Sequence, residues 1–129
     1  MRPMILVLLT FIAACATSPA QNSRPVPAFA FTELKAGYGS ATIKRDSGFM
    51  GAACKVRVFA NGTAVGELGP SEQLTICHPP GDHVFGANAA GICGGRTAES
   101  GVALKSDDQK RLRIASGQAG DLSIQPTAL

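Results

Sequence analysis

The feature that most constrains the fold is a strand pattern that runs directly into an Asn-Gly turn. Residues 54–60, CKVRVFA, alternate small or apolar residues with mostly polar ones, which is the pattern of a half-buried strand. Asn61-Gly62 follows at once, and both residue types tolerate the positive φ angles of a type I′ turn. A return strand is predicted over Thr63–Leu68, before Gly69-Pro70. The sequence therefore predicts a β-hairpin near the middle of the chain.

Similar short strands and turn signals continue on both sides of this hairpin. The segment Pro79-Pro80-Gly81-Asp82 suits a type II turn, with Gly81 at the position that needs a positive φ. Phe29 to Leu34 reads either as a first edge strand or as a segment packing under the domain, whereas Phe85 is expected in the core. Further strands are predicted over 41–45, 72–78, 83–87, 97–104, 110–114 and 121–125. We therefore expect an all-β fold, a single small antiparallel β-sandwich of about seven or eight short strands, with a small barrel as the alternative.

The amino terminus has the layout of a secretory signal. Arg2 supplies a positive charge, residues 5–14 form an apolar run, and small residues lead into Cys15. About ten apolar residues are too few to span a bilayer stably. Residues 12–15, Ile-Ala-Ala-Cys, resemble a bacterial lipobox, which implies cleavage before Cys15 and acylation of that residue. The alternatives are an ordinary signal peptide cut elsewhere and a short uncleaved anchor.

If residues 12–15 are a lipobox, the chain consists of a signal peptide (1–14), a lipidated cysteine with a flexible tether (15–40) and a β-sandwich domain (41–129). The tether is expected mainly over residues 16–28, which are polar and carry three prolines. Ala16 rather than Asp follows the cysteine, which resembles the sorting pattern of outer-membrane lipoproteins in Gram-negative bacteria. The expected location is therefore the bacterial cell envelope, lipid-anchored on the outer membrane and facing the periplasm.

Cysteine usage predicts one structural disulfide. If Cys15 is lipidated, three cysteines remain in an oxidising environment, which implies one disulfide and one leftover thiol. Cys54 is in register with the inward face of its strand, and Cys93 lies in a glycine-rich segment that can reach a partner. Cys77 is out of register with Ile76 and should face the other way. We predict the pair Cys54–Cys93, with Cys54–Cys77 as the alternative.

Composition argues against nucleic-acid binding. The formal net charge is +3, the basic residues are scattered, and the chain has no Trp and one Tyr. A nucleic-acid-binding surface needs a basic stripe with interleaved aromatic residues, and the sequence contains neither.

Three short motifs occur in a fixed order: a strand ending in Arg at residues 43–47, a hairpin with a V-G-x-L return strand at residues 55–58, 61–62 and 65–68, and a P-P-G-x-H turn at residues 79–83. In this order they resemble the small all-β domains of the DUF2846 type, which are related to PEGA domains. The resemblance covers about residues 41–114. It implies an all-β fold and a structural role for His83, and such domains occur in bacterial lipoproteins and exported proteins.

The sequence offers few candidates for catalysis or metal binding. Cys77, His78, His83 and Cys93 are residue types that bind zinc, but no closely spaced ligand pair is present. There is no Gly-x-Ser-x-Gly motif, no phosphate-binding loop and no recognisable carboxylate pair. We therefore expect no catalytic residues, no metal and no cofactor.

The remaining candidates are contact residues, Phe59 and Phe49. Phe59 should lie on the outer face of its strand, and Phe49 lies in a glycine-flanked stretch. The expected function is a non-enzymatic, membrane-anchored envelope lipoprotein that acts as an interaction or structural module. Its partner would be another envelope protein or a cell-wall polymer, and an exclusion lipoprotein of a phage or prophage is one subtype. The alternative is a periplasmic domain that binds a small ligand or metal through His78 and His83.

Overall fold

The computed structural model describes residues 23–47, 54–90, 93, 95–116 and 121–128. All regular structure in these residues is β, arranged as a five-stranded sheet in the order β1-β5-β2-β8-β9 and a four-stranded sheet in the order β4-β3-β6-β7. The strands are β1 (Arg24–Pro25), β2 (Gly39–Arg45), β3 (Val56–Ala60), β4 (Thr63–Leu68), β5 (Glu72–His78), β6 (Gly81–Ala89), β7 (Ala98–Leu104), β8 (Gln109–Ser116) and β9 (Leu122–Pro126). The predicted all-β sandwich is confirmed.

The central hairpin forms as the sequence predicts. β3 and β4 pair antiparallel, and Asn61 and Gly62 adopt φ angles of 49° and 81° between them. Both positions are thus left-handed, as the Asn-Gly motif requires. The register shifts between Val58 and Phe59, which marks a β-bulge.

Two of the strand pairings are parallel, a detail that the predicted antiparallel arrangement does not include. β2 pairs with β8 in parallel, and so does β1 with β5. Between β2 and β8 the chain passes through the other sheet twice, so no local turn fixes their relative direction. Parallel neighbours need such long connections, which turn motifs do not reveal.

The turn at Pro79-Pro80-Gly81 connects the two sheets. β5 belongs to the five-stranded sheet and β6 to the four-stranded one, so the two strands do not form a hairpin. Gly81 has a φ of 143°, in the positive region that favours glycine. The turn therefore carries the chain from one layer to the other.

The core lies between the two sheets. Leu74, Ile76 and Phe85, expected to point inward, are fully buried, together with Ile43 and Leu112. Leu74 lies so close to Gly66 that a Cβ on that glycine would overlap its Cδ2 atom. The apolar core is thus close-packed at this point of contact between the layers.

The predicted disulfide is confirmed. Cys54 and Cys93 are bonded, with their Cα atoms 6.2 Å apart and 39 positions apart in sequence. Val56 and Ala89 are paired at one end of the β3–β6 ladder, and the two cysteines lie just beyond this pair in the sequence. The disulfide thus links the two chain segments beyond the end of the ladder. Cys77, the expected leftover thiol, is buried near the end of β5 and is not a free cysteine.

A segment at the amino-terminal side, residues 23–35, runs along one edge of the sandwich, and we call it the strap. Its backbone donates hydrogen bonds from Arg24 N to Ser71 O and from Phe29 N to Val65 O. These two bonds join it to the edge of the five-stranded sheet and to β4 of the other sheet.

The strap corrects the predicted extent of the tether. Val26 and Ala28, which the sequence placed in the tether, pack against the core. These two residues alternate with Pro25 and Pro27. The segment therefore has the two-residue period of a strand, although its proline-rich composition indicates a tether. Among the described residues, contacts with the domain are therefore present from Arg24 onward rather than only from near Ala41.

In the part of the chain that the structure describes, no helix has the length and apolar character needed to cross a membrane.

Candidate functional site

The two histidines meet between the sheets at one end of the sandwich. His78 is the last residue of β5 and His83 lies near the start of β6. Their rings are stacked, with centroids 4.6 Å apart and planes inclined by 15°, and both residues are buried. Their strands do not pair with each other, and the rings meet because these strands belong to facing layers.

Both ring nitrogens of His83 are hydrogen-bonded. Nε2 lies 2.7 Å from the carbonyl oxygen of Pro79, so it must donate. Nδ1 lies 3.0 Å from Nδ2 of Asn61, so it must accept. Oδ1 of Asn61 accepts from the backbone N–H of Val84, which fixes the orientation of the amide. The pattern defines the neutral tautomer with hydrogen on Nε2 and leaves no ring nitrogen of His83 for a metal.

His78 has a different environment. Its ring lies 4.5 Å from that of Phe31 in the strap, and its Nε2 atom is buried without a hydrogen-bond partner. Burial, and secondarily the nearby His83, lower the pKa of His78 from its ordinary value of 6.5. The neutral form is therefore favoured, and the imidazole packs as a flat, largely apolar ring.

The four residues considered as zinc ligands do not come together as a metal site. Cys93 is in the disulfide with Cys54, and His83 uses both of its ring nitrogens. Across the described ranges, no group of three or more Cys, His, Asp or Glu side chains is arranged to hold an ion.

Arg45 closes the opposite end of the sandwich. The residue is buried, and its NH1 group donates to the carbonyl oxygens of Leu68, at 2.9 Å, and Cys54, at 2.8 Å. Burial lowers the pKa of Arg45, while the negative charge of Glu72 opposes this shift. The arginine thus donates to backbone carbonyls of two separate segments of the chain. The motif of a strand ending in Arg did not by itself predict this role.

The contact residue Phe59 lies on the outer face of the four-stranded sheet, because its neighbours Val58 and Ala60 point into the core. It is half-buried, and its paired residue on β6 is Gly86. Val84, two positions before that glycine, lies on the same face and is 44% exposed. The face therefore presents an aromatic and an aliphatic side chain beside a glycine. Phe49, the other predicted contact residue, lies outside the described residues.

The strap exposes three large apolar side chains, in the segment for which the sequence allowed either an edge strand or a segment packed under the domain. Phe29, Phe31 and Leu34 in the strap are 67%, 42% and 42% exposed. Phe31 also has a φ of 59°, an uncommon conformation for a bulky residue. The strap is neither a regular edge strand in this part nor buried under the domain.

Comparison with known proteins finds no family model and no curated protein that matches the chain. The resemblance to DUF2846-type domains therefore stays a prediction.

Proposed function

We propose that this protein is a non-enzymatic lipoprotein of the bacterial cell envelope, anchored through Cys15, whose β-sandwich is an interaction or structural module. The observation that carries the anchor is the sequence itself: a short apolar run ending in Ile-Ala-Ala-Cys at residues 12–15. Two or more acyl chains hold a protein on a bilayer stably, whereas one does so only marginally.

The non-enzymatic role is supported by what the reactive side chains do in the fold. His83 bonds to Asn61 and Pro79, Arg45 bonds to backbone carbonyls, and Cys54 is in a disulfide. Residue types that often carry catalysis are thus engaged in holding the two sheets and their connections together. The outer face with Phe59 and Val84 is available for a partner, either another envelope protein or a cell-wall polymer.

The anchor is tested by the mass of the amino-terminal peptide of the protein purified from membranes. The expected peptide begins at Cys15 and carries a diacylglyceryl group on sulfur and an acyl group on the amine. An acylated Cys15 has no thiol to pair with Cys77, so the lipid and a Cys15–Cys77 disulfide exclude each other. Detection of that disulfide, or of a peptide with another amino terminus, refutes the anchor. The Cys15→Ser protein is the matched control.

The binding role is tested by crosslinking in cells through a photoreactive residue in place of Phe59. We expect a discrete crosslinked product, and its absence when the photoreactive residue replaces the exposed Lys110 on the other sheet. Equal labelling from both positions contradicts a specific contact at this face.

A further inference from the structure

We propose that the strap seats the domain on the lipid surface, with Phe29, Phe31 and Leu34 inserted at the boundary between headgroups and acyl chains. This inference rests on the proposed lipid anchor at Cys15 and adds an orientation to it. Three of the four exposed large apolar residues in the described chain lie within these six positions, immediately after the segment that leads from the anchor.

The length of the connection favours a lipid surface over other occupants. Only seven residues separate Cys15 from Ser23, where the described chain begins. Even fully extended, eight steps at about 3.6 Å each place Ser23 within about 29 Å of the acyl chains. The domain is thus held close to the bilayer.

The strap then follows β5 along the edge of the sandwich. Its first bond reaches Ser71, just before β5, and the carbonyl of Phe31 accepts from Cys77 N near the end of that strand. The corresponding length of β5, from Glu72 to Cys77, is about 17 Å at about 3.3 Å per residue. The exposed side chains therefore lie within reach of the same bilayer when this edge turns toward it.

The local chemistry suits an interface. Phe31 lies against buried His78 on one side and is 42% exposed on the other, so it is supported from within the domain. Arg24, whose side chain is 79% exposed and lies 3.6 Å from Glu72, and the exposed Lys35 flank the apolar residues, and one exposed acidic residue, Glu33, lies among them. Apolar side chains bordered by basic ones are typical of protein segments that lie on anionic lipid surfaces.

The test uses tryptophan as a depth probe, because the protein has none. Full-chain Phe29→Trp, Phe31→Trp and Val84→Trp proteins are combined with vesicles of phosphatidylethanolamine and phosphatidylglycerol that contain brominated acyl chains. Val84 is the matched control, since its exposure of 44% equals that of Phe31 within a few percent and it lies on the other sheet. The Phe29→Trp protein guards against disturbance of the contact between Phe31 and His78.

We expect blue-shifted emission and a several-fold greater quenching for the Phe29→Trp and Phe31→Trp proteins than for the Val84→Trp protein. Equal quenching at all three positions, or stronger quenching at position 84, overturns the proposal. Acylation is scored on the same samples from the mass of the Cys15 peptide. If the protein is acylated but positions 29 and 31 are quenched no more than position 84, the strap contact alone is refuted. If positions 29 and 31 are quenched more strongly but the protein is not acylated, the anchor alone is refuted.

Discussion

Removal of the disulfide between Cys54 and Cys93 is expected to cost the domain a large part of its stability. The bond closes a loop of 39 positions that contains the whole of β3, β4, β5 and β6. In the loop-closure relation, a loop of this length lowers the entropy of the unfolded chain by an amount worth about 4 kcal/mol at 25 °C. The Cys54→Ala/Cys93→Ala protein should therefore lose about 4 kcal/mol in its free energy of unfolding.

The assay is urea denaturation followed by circular dichroism, with the oxidised parent protein measured in parallel. A second double variant, Cys54→Ser/Cys93→Ser, is the control, since an entropic effect on the unfolded chain does not depend on the replacing residue. The slope of the free energy with urea reports the surface exposed on unfolding and should rise in both variants, because the uncrosslinked chain expands further. A loss below about 1 kcal/mol, or a large difference between the variants, refutes the loop-closure reasoning.

Four further predictions concern individual side chains. Arg45→Met should lower the free energy of unfolding by about 2–4 kcal/mol, because two backbone carbonyls lose their donor. The control Arg113→Met removes a half-buried ion pair with Asp46 but leaves no buried carbonyl without a donor, so it should cost less in the same urea assay. Stability should be constant above pH 6.5 and fall below it, because the unfolded chain then binds a proton at His78 that the folded state, with its lowered pKa, resists; a His78→Phe protein that keeps the same pH slope contradicts this. Asn61→Ala should be less stable than Asn61→Gly by about 1 kcal/mol in thermal unfolding, since only glycine accepts the left-handed conformation without strain. Gly66→Ala should cost about 1–3 kcal/mol, because its methyl group meets a buried leucine; an unchanged melting temperature would show that the core yields there.

Local features of the fold were predictable from the sequence because their causes are local. Between two segments that alternate apolar and polar residues, Asn61-Gly62 commonly forms a type I′ hairpin turn, and the observed φ angles match that turn. The pairing of Cys54 with Cys93 was predictable because strand alternation placed one sulfur inward and the glycines gave the other freedom to reach it.

Features that depend on how the sheets are layered were not predictable. β2 and β8 pair in parallel although they are far apart in sequence, and the prolines after His78 change the layer rather than close a hairpin. The stacking of His78 on His83 follows from that change of layer. The first part of the strap was predicted to be tether because Val26 and Ala28, its two core contacts, are small and lie among prolines. The proline-rich composition favoured a flexible tether more strongly than the two-residue spacing favoured a strand.

Several reactive side chains of the described residues are engaged in contacts within the fold, which is why the proposed function relies on the surfaces of the domain. One end of the β3–β6 pairing is closed by the disulfide and by Arg45, which bonds to the carbonyl of Cys54. The other end is closed by His83, which links Asn61 of the hairpin turn to the connection between the sheets. Groups of this kind in a catalytic site are accessible and poised to change protonation state, whereas here they satisfy buried polar atoms of the fold. The exposed large apolar side chains of the described residues lie elsewhere: Val84 beside Phe59 on the four-stranded sheet, and three residues in the strap. This division is the basis of our proposal that the strap faces the bilayer and that the face around Phe59 contacts a partner.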